Sequence, residues 1–319
     1  MMPDPKPSTP SLDSLFSGVP YPPVPVNYGA NFTPTTRLDT YPYLTAAERR
    51  NCAGKRVLIT GGNKGIGLGI ALAYARAGAS HIAITSRNPI DEDILSQIRA
   101  AAPSTLTTTA PDVLALRMDV TSPSSVQLAA STLKSHFNNR LDIVISNAGF
   151  LARYDRLLES DDEEWWRSFE VNLRGGYLVA KAFVPVLLGT QGGDRTFISM
   201  SSTGALHFHP GGSSYQISKF ALLRLVEFLL AEYKDQGLLA YSIHPGGVAT
   251  DLSDRLPEST KSWLVCTPAL GGDTIAFLTS ERQEWLAGRY LSAMWDMDEF
   301  FAKKQDIIDR DLLKMRLTF

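Results

Sequence analysis

Short apolar runs alternate with longer amphipathic stretches from Lys55 to the neighbourhood of Ser292, and this alternation constrains the fold most. Residues 56–60, 81–85, 114–118, 141–146, 195–201, 239–244 and 289–292 have the length and aliphatic content of strands. Runs apolar throughout suit strands buried on both faces, which is the situation of a parallel sheet, and the stretches between them are long enough for helical crossovers. The pattern predicts one α/β domain, a doubly wound, Rossmann-type, mostly parallel seven-stranded sheet with helices on both faces. Helices are expected over 65–77, 91–102, 123–137 and 215–233, with another starting in the acidic stretch at 161. Thr121 or Ser122 caps the third, and Pro123 stands in its first turn.

The chain has 319 residues and divides into a Pro-rich extension (1–50), a catalytic-size domain (51–295) and a tail (296–319). The extension holds Pro3, Pro5, Pro7, Pro10, Pro20, Pro22, Pro23 and Pro25 and shows no apolar period, so it has no core of its own. Its aromatics Phe16, Tyr21, Tyr28, Phe32, Tyr41 and Tyr43 suggest that part of it lies against the domain. A short helix capped by Thr45 is expected there, and removal of residues 1–40 is expected to leave the domain folded. A net charge of −2 with scattered cations points away from nucleic acid and anionic membranes and towards a small-molecule substrate. Two distant cysteines, Cys52 and Cys266, fit free thiols in a reducing compartment. With no signal-peptide pattern and no apolar stretch of about 18 residues, the expectation is a cytoplasmic protein.

Between the first strand and the first helix lies Thr60-Gly61-Gly62-Asn63-Lys64-Gly65-Ile66-Gly67. Glycines there allow positive φ and close backbone approach, and the helix start offers unpaired N–H groups to an anion, so a pyrophosphate can dock. Further on, Ser202 precedes Tyr215 by thirteen residues, and Tyr215 and Lys219 form an i, i+4 pair that shares a helix face. Tyr177 and Lys181 repeat that spacing inside an apolar helix and are read as structural. Tyr215 follows a strand and turn at the carboxyl edge of the sheet, where doubly wound folds bind ligands, and an adjacent ammonium would favour its phenolate.

The ordered set resembles the short-chain dehydrogenase/reductase family, from about residue 54 to about residue 292. Its other matches are Asp119-Val120 after the third strand, Asn147-Ala148-Gly149 after the fourth, Asn172, and Pro245-Gly246-Gly247-Val248-Ala249-Thr250 after the sixth. The chain departs from the family at Ser146-Asn147, where Asn-Asn is frequent. It departs again where Ser292-Ala293-Met294-Trp295-Asp296 replaces a Val-Asp-Gly-Gly. The resemblance implies that Tyr215 donates a proton in carbonyl reduction and that Lys219 also binds the nicotinamide ribose. Ser202 would bond the substrate oxygen, and Asn172 would hold a water. It further implies that the turn residues Gly61, Asn63, Lys64, Gly65, Ile66 and Gly67 hold a dinucleotide. Asp119 and Val120 would flank its adenine, and Asn147, Ala148 and Gly149 would line its cleft. Pro245, Gly246, Val248 and Thr250 would stand at the carboxamide and phosphates.

The second strand ends Thr85-Ser86-Arg87-Asn88, with no acid to bind a ribose 2′-hydroxyl. Ser86 and Arg87, with Lys64, would instead meet a 2′-phosphate, so the expected cofactor is NADP(H). No metal site is expected. His207 and His209 are expected to line the substrate pocket with Phe150, Leu151, Phe208 and Trp263, and a largely apolar lining predicts a bulky apolar ketone or alcohol. Arg153, Arg255 and Lys261 leave a carboxylate open as an alternative. Other readings are an NADP-linked alcohol dehydrogenase working oxidatively and a cofactor-sensing regulatory protein. The extension and tail resemble those of fungal members associated with secondary metabolism. A homodimer or homotetramer is expected from the long apolar helices around Tyr177 and Phe228.

Overall fold

The computed structural model describes residues 29–46, 49, 51–103 and 110–317. Seven strands form one sheet: β1 (Arg56–Ile59), β2 (His81–Ser86), β3 (Asp112–Arg117), β4 (Ile143–Ser146), β5 (Thr196–Met200), β6 (Leu239–His244) and β7 (Tyr290–Ser292). Their order is β3-β2-β1-β4-β5-β6-β7 and every pairing is parallel. The chain runs outward from β1 to β3, then returns to place β4 on the other side of β1. A switch point therefore opens between β1 and β4.

The helices are α1 (Gly65–Arg76), α2 (Glu92–Ala100), α3 (Pro123–His136), α4 (Asp162–Ser168), α5 (Gly175–Gly189), α6 (Ser213–Tyr233), α7 (Pro268–Ser280), α8 (Met297–Ala302) and α9 (Lys304–Asp309). Buried residues form one apolar cluster on each face of the sheet, with α1 and α7 against one face and α3, α5 and part of α6 against the other. Ser122 caps α3 by accepting from Ser125 N at 3.3 Å, with Pro123 in the first turn. Strand ends differ from the sequence expectation by one or two residues.

The near end of the extension packs into the first cluster. Trp295, 1 % exposed, donates from Nε1 to Gly29 O at 2.7 Å and lies 4.8 Å from the Phe32 ring. Thr36 bridges Trp295, Thr35 bonds Glu299 through both N and Oγ1, Arg37 pairs with Asp296, and Tyr41 Oη accepts from Met297 N at 2.6 Å. The residues that replace the family's Val-Asp-Gly-Gly are thus the ones that grip this strap.

Three expectations change. The single-turn helix is Pro42–Thr45, so Thr45 ends it rather than capping it; Pro42 stands at its start, and Ala47, Glu48 and Arg50 lie outside the described residues. Loss of residues 1–40 would uncover Trp295 and Phe300, so it does not spare the core. The continuous helical run from Asp162 to Gly189 is long and apolar enough to cross a membrane by length and composition. Much of that apolarity meets the sheet, because Val179, Ala180, Phe183, Val184 and Leu187 are buried in the second cluster. Of the extension's aromatics, Phe16, Tyr21 and Tyr28 lie outside the described residues.

Candidate active site

The carboxyl ends of the strands form the rim that collects the predicted residues. Gly61 and Gly65 have φ of +64° and +53°, the left-handed region that glycine tolerates. A Cβ on Gly67 would lie 2.1 Å from Gly61 O and 2.8 Å from Asn147 Nδ2, so the turn folds onto the helix start with no spare volume. Asn147 ties the turn to β4, donating from Nδ2 to Thr60 O at 2.8 Å and to Gly61 O at 3.2 Å. Thr60 Oγ1 in return accepts from Asn147 N and Ala148 N, each at 2.9 Å. No side chain caps α1, which starts at Gly65, so its first-turn N–H groups suit an anion. Across the cleft, a Cβ on Gly65 would sit 3.0 Å from Thr250 Cγ2. The turn, with Asn63, Lys64 and Ile66 along it, therefore fits the pyrophosphate of a dinucleotide.

Beyond the turn, Ser86 closes β2 opposite Arg117, which closes β3. Arg87 is exposed, and its carbonyl accepts from Arg117 Nε at 3.2 Å. Arg117 is a cation that sequence reasoning missed, since only the strand register sets it beside Arg87. Lys64 pairs with Asp251 of the loop after β6, a partner 187 residues away that only the fold brings near. Asp119 is partly buried, which opposes ionisation, but two hydrogen bonds from Thr121 and the nearby Arg87 and Arg167 outweigh this and hold it below the usual carboxylate range. Val120 packs under α5, where a Cβ on Gly175 would come within 2.9 Å of it. Pro245 backs onto α7 at Gly271, Gly246 has φ of +98° against Cys266, and Val248 bridges Cys266.

Tyr215 and Lys219 lie near the start of α6. Lys219 is 4 % exposed, donates from Nζ to Met200 O at 2.8 Å, and stands 5.6 Å from the centroid of the Tyr215 ring. A Cβ on Gly149 would be 3.6 Å from that Nζ, so the ammonium faces the β4 side of the cleft. Ser202 Oγ accepts from Gly204 N at 3.0 Å and hydrogen-bonds Tyr215. The adjacent Ser201 bonds Lys219 O at 3.2 Å instead, supporting the helix backbone. The repeat pair has almost the same internal geometry, with Lys181 Nζ 5.8 Å from the Tyr177 ring, but Tyr177 is 46 % exposed. Burial separates the two pairs.

Burial also governs their acidity. It pushes the Tyr215 phenol above its ordinary value, opposed by the Ser202 hydrogen bond, and depresses Lys219 to about 8. Burial of the phenol, opposed by Ser202, thus sets its acidity in this structure, in place of the lowering by the lysine expected from the sequence.

Asn172 occupies a π-helical turn, Phe169–Arg174, between α4 and α5. Its amide brackets one peptide: Oδ1 accepts from Phe150 N at 2.7 Å, and Nδ2 donates to Phe150 O and Ser218 Oγ, both at 2.9 Å. Ser218 in turn bonds Tyr215 O at 2.7 Å. Asn172 thus couples the loop after β4 to the start of α6. The wider turn is a local break often found at functional sites.

The opposite wall is aromatic. His209 lies 6.0 Å from Trp263 and 5.5 Å from Tyr154, and His207 lies 6.5 Å from Trp263. Leu151 is buried, whereas Phe208 is 72 % exposed and so falls outside the expected lining. Arg153 and Arg255 both pair with Glu164, and Arg255 also stacks on Phe150 with its guanidinium 5.0 Å from the ring centroid. Lys261 pairs with Glu258 at 2.7 Å. The three cations suggested for a carboxylate are already partnered.

A family model described as short chain dehydrogenase matches residues 55–261. Short chain dehydrogenase mpl6 of Monascus purpureus is 44% identical over 294 residues, covering 92% of this chain and 99% of that protein. Short chain dehydrogenase pigC of Monascus ruber is 41% identical over 290 residues, 90% of this chain and 94% of that protein. Among solved structures, a short-chain type dehydrogenase/reductase from Mycobacterium marinum superposes with a TM-score of 0.66 at 26% identity, covering 76% of this chain and 94% of that one. NADH-dependent reductase A1-R' complexed with NAD gives a TM-score of 0.64 at 25% identity, over 77% of this chain and 96% of that one.

Proposed function

The chain belongs to the short-chain dehydrogenase family, and we propose that it moves a hydride between NADP(H) and a carbonyl or alcohol carbon of a small organic molecule. The observation that carries this reading is the Ser202–Tyr215–Lys219 set, its lysine buried beside Gly149, on the rim that also bears the glycine turn. When bound, NADP(H) supplies or accepts the hydride. In the reductive direction Tyr215 Oη gives its proton to the substrate oxygen as that oxygen gains charge, and Ser202 Oγ hydrogen-bonds the same oxygen. Lys219 holds positive charge near the developing phenolate and reaches towards the ribose side of the cleft. Asn172 and Ser218 fix the loop and helix that carry these groups. The same residues serve the oxidative direction by the reverse proton movement.

Preference for NADP(H) over NAD(H) rests on Arg87 and Arg117 at the ends of β2 and β3, with no carboxylate in Ser86-Arg87-Asn88 to bind a ribose 2′-hydroxyl. Lys64 joins them on release from Asp251. The two buried cysteines, Cys52 and Cys266, fit a cytoplasmic location. Exposed apolar side chains on α5 and α6, among them Tyr177, Phe220 and Phe228, favour self-association into a dimer or tetramer. The resemblance of the extension and tail to those of fungal members associated with secondary metabolism extends the proposal to such a role. A regulatory, non-catalytic reading has less support, since neither Tyr215 nor Lys219 is replaced.

The deciding experiment follows reduced-cofactor absorbance over a panel of ketones, aldehydes and alcohols with the wild type, Tyr215→Phe and Tyr177→Phe. Turnover by the wild type and Tyr177→Phe, lost in Tyr215→Phe while cofactor binding persists, is the expected outcome. An active Tyr215→Phe enzyme would refute the assignment.

A further inference from the structure

Thr267, the N-cap of α7, lies in extended chain with φ of −86° and ψ of 153°, so successive backbone groups there point to opposite sides. On one side, Cys266 donates from N to Gly247 O at 2.8 Å and pairs with Val248 as a parallel bridge. On the other, Thr267 donates from N to Leu38 O of the strap at 3.0 Å and from Oγ1 to Asp39 Oδ1. Asp39 Oδ1 also accepts from Thr40 N at 2.7 Å, which fixes the carboxylate. Three segments therefore lie edge to edge: 38–39 of the strap, 266–267, and 247–248 of the loop after β6. The inner contact has no slack. A Cβ on Gly246 would lie 2.9 Å from Cys266 Cβ, and one on Gly247 would lie 2.2 Å from Trp263 O. The same loop continues to Thr250, which stands against Gly65 of the glycine turn. The joint at Thr267 and Pro268 also touches α1, since a Cβ on Gly69 would come within 2.6 Å of Pro268 O. Further along α7, Asp273, 1 % exposed, accepts from Thr40 Oγ1 at 2.7 Å and from Arg76 Nη2 of α1 at 3.0 Å.

We propose that the Leu38–Thr40 stretch of the strap belongs to the cofactor-binding apparatus, and that Asp39 is a positioning residue for the dinucleotide, acting through Thr267. This rests on the proposed hydride transfer only for the identity of the ligand. The family match covers residues 55–261, so both partners of the contact lie outside it. The loop after β6 and the start of α1 approach one cleft from two sides, and each leans on the Thr267–Pro268 joint. Without Asp39, the Thr267 hydroxyl keeps its 3.4 Å contact from Leu270 N but loses its tie to the strap, leaving the backbone bond to Leu38 O. The loop bearing Val248 and Thr250 is then less often in the binding position, and apparent affinity falls by the fraction of time it is correctly seated. Arg87 and Arg117, at the ends of β2 and β3, take no part in the joint, so NADPH and NADH should lose affinity alike.

The test titrates NADPH and NADH by fluorescence into full-length wild type, Asp39→Ala, Asp39→Asn, Thr267→Val, the Asp39→Ala/Thr267→Val double variant and Thr35→Val, each well below its melting temperature. Asp39→Ala and Thr267→Val should each weaken both nucleotides about fivefold, and the double variant should be no weaker than Thr267→Val, because the two changes cut one link. Asp39→Asn keeps an acceptor for the hydroxyl and should stay within about twofold of the wild type. Thr35→Val removes an Oγ1 bond to Glu299 at the α8 end of the strap and leaves the joint intact. It should lower the melting temperature yet leave both affinities within about twofold of the wild type. Unchanged affinity in a folded Asp39→Ala protein overturns the proposal, as does an equal loss in Thr35→Val or additive losses in the double variant. Should Thr267→Val fail to fold, the Asp39 series decides alone. A wild type that binds neither nucleotide would remove this proposal and the hydride-transfer reading together, whereas the Asp39 effect without turnover of any carbonyl or alcohol would sink that reading alone.

Discussion

Replacing Lys219 by methionine should expose a conflict between stability and function that can be worked out from its burial. The ammonium is 4 % exposed, and burial brings its pKa from 10.5 to about 8. At 1.36 kcal/mol per pKa unit, holding the charged form inside the fold costs about 3 kcal/mol. Because the folded value is depressed, this cost is fully present below pH about 8, where both states are protonated. It is relieved as pH rises from there towards 10.5 and the folded chain alone gives up its proton. Methionine avoids the cost but deprives Met200 O of its 2.8 Å donor, a charge-assisted bond worth about 2 kcal/mol. Lys219→Met should thus be about 1 kcal/mol more stable than the wild type at pH 7. By about pH 9.5 the wild type recovers about 2 kcal/mol, and the order should invert. Urea unfolding of both apo proteins at the two pH values measures the gap, in which general alkaline effects cancel. A gap that does not change with pH would refute the reasoning, as would a variant less stable at pH 7. Turnover should be lost at every pH.

NADPH should bind at least tenfold more tightly than NADH, about 1.4 kcal/mol, and Arg87→Asp should abolish that difference mainly by weakening NADPH, as read by fluorescence titration. Equal affinities in the wild type would reject the phosphate site. Gly67→Ala should cost more than about 3 kcal/mol in chemical denaturation and remove cofactor binding, because its Cβ would stand 2.1 Å from a backbone oxygen. A chain lacking residues 1–40 should be markedly destabilised, by at least the roughly 3 kcal/mol associated with uncovering one large aromatic side chain such as Trp295, and a thermal shift of the purified truncation checks this. Normal melting would show that the strap is dispensable.

Much of this arrangement is legible in the chain itself, for physical reasons that also explain what is not. The central strands announce themselves because both faces are buried: Ile143–Ser146 and Thr196–Met200 are buried at every position, so no charged residue interrupts them. Their ends blur because Leu141 continues the apolar pattern without pairing as strand, whereas Arg195, with φ of 48°, turns into the left-handed region just before β5. Ser202, Tyr215 and Lys219 are recoverable because chemistry fixes their types and a strand–turn–helix unit fixes their spacing. The π-helical turn at Asn172 is not, since it depends on a bond to Phe150, 22 residues away. Arg117 and Asp251 escape notice because only register and loop closure bring them to Arg87 and Lys64.

The strap carries a consequence for how the polypeptide is made. Thr36 meets Trp295, and Tyr41 meets Met297, so the partners of the earliest described residues are among the last to be synthesised. A nascent chain that has emerged through His244 already holds β1 to β6 but lacks β7, Trp295 and Phe300. Until translation supplies them, Phe32 and Tyr41 have no binding site, and the loop to be closed spans most of the protein, which is entropically the slowest contact to form. Completion of the apolar cluster therefore waits until Trp295 and Met297 are available to the strap. The half-made intermediate, with a carboxyl-edge strand unpaired and aromatics bare, is the species a cell must shield from aggregation.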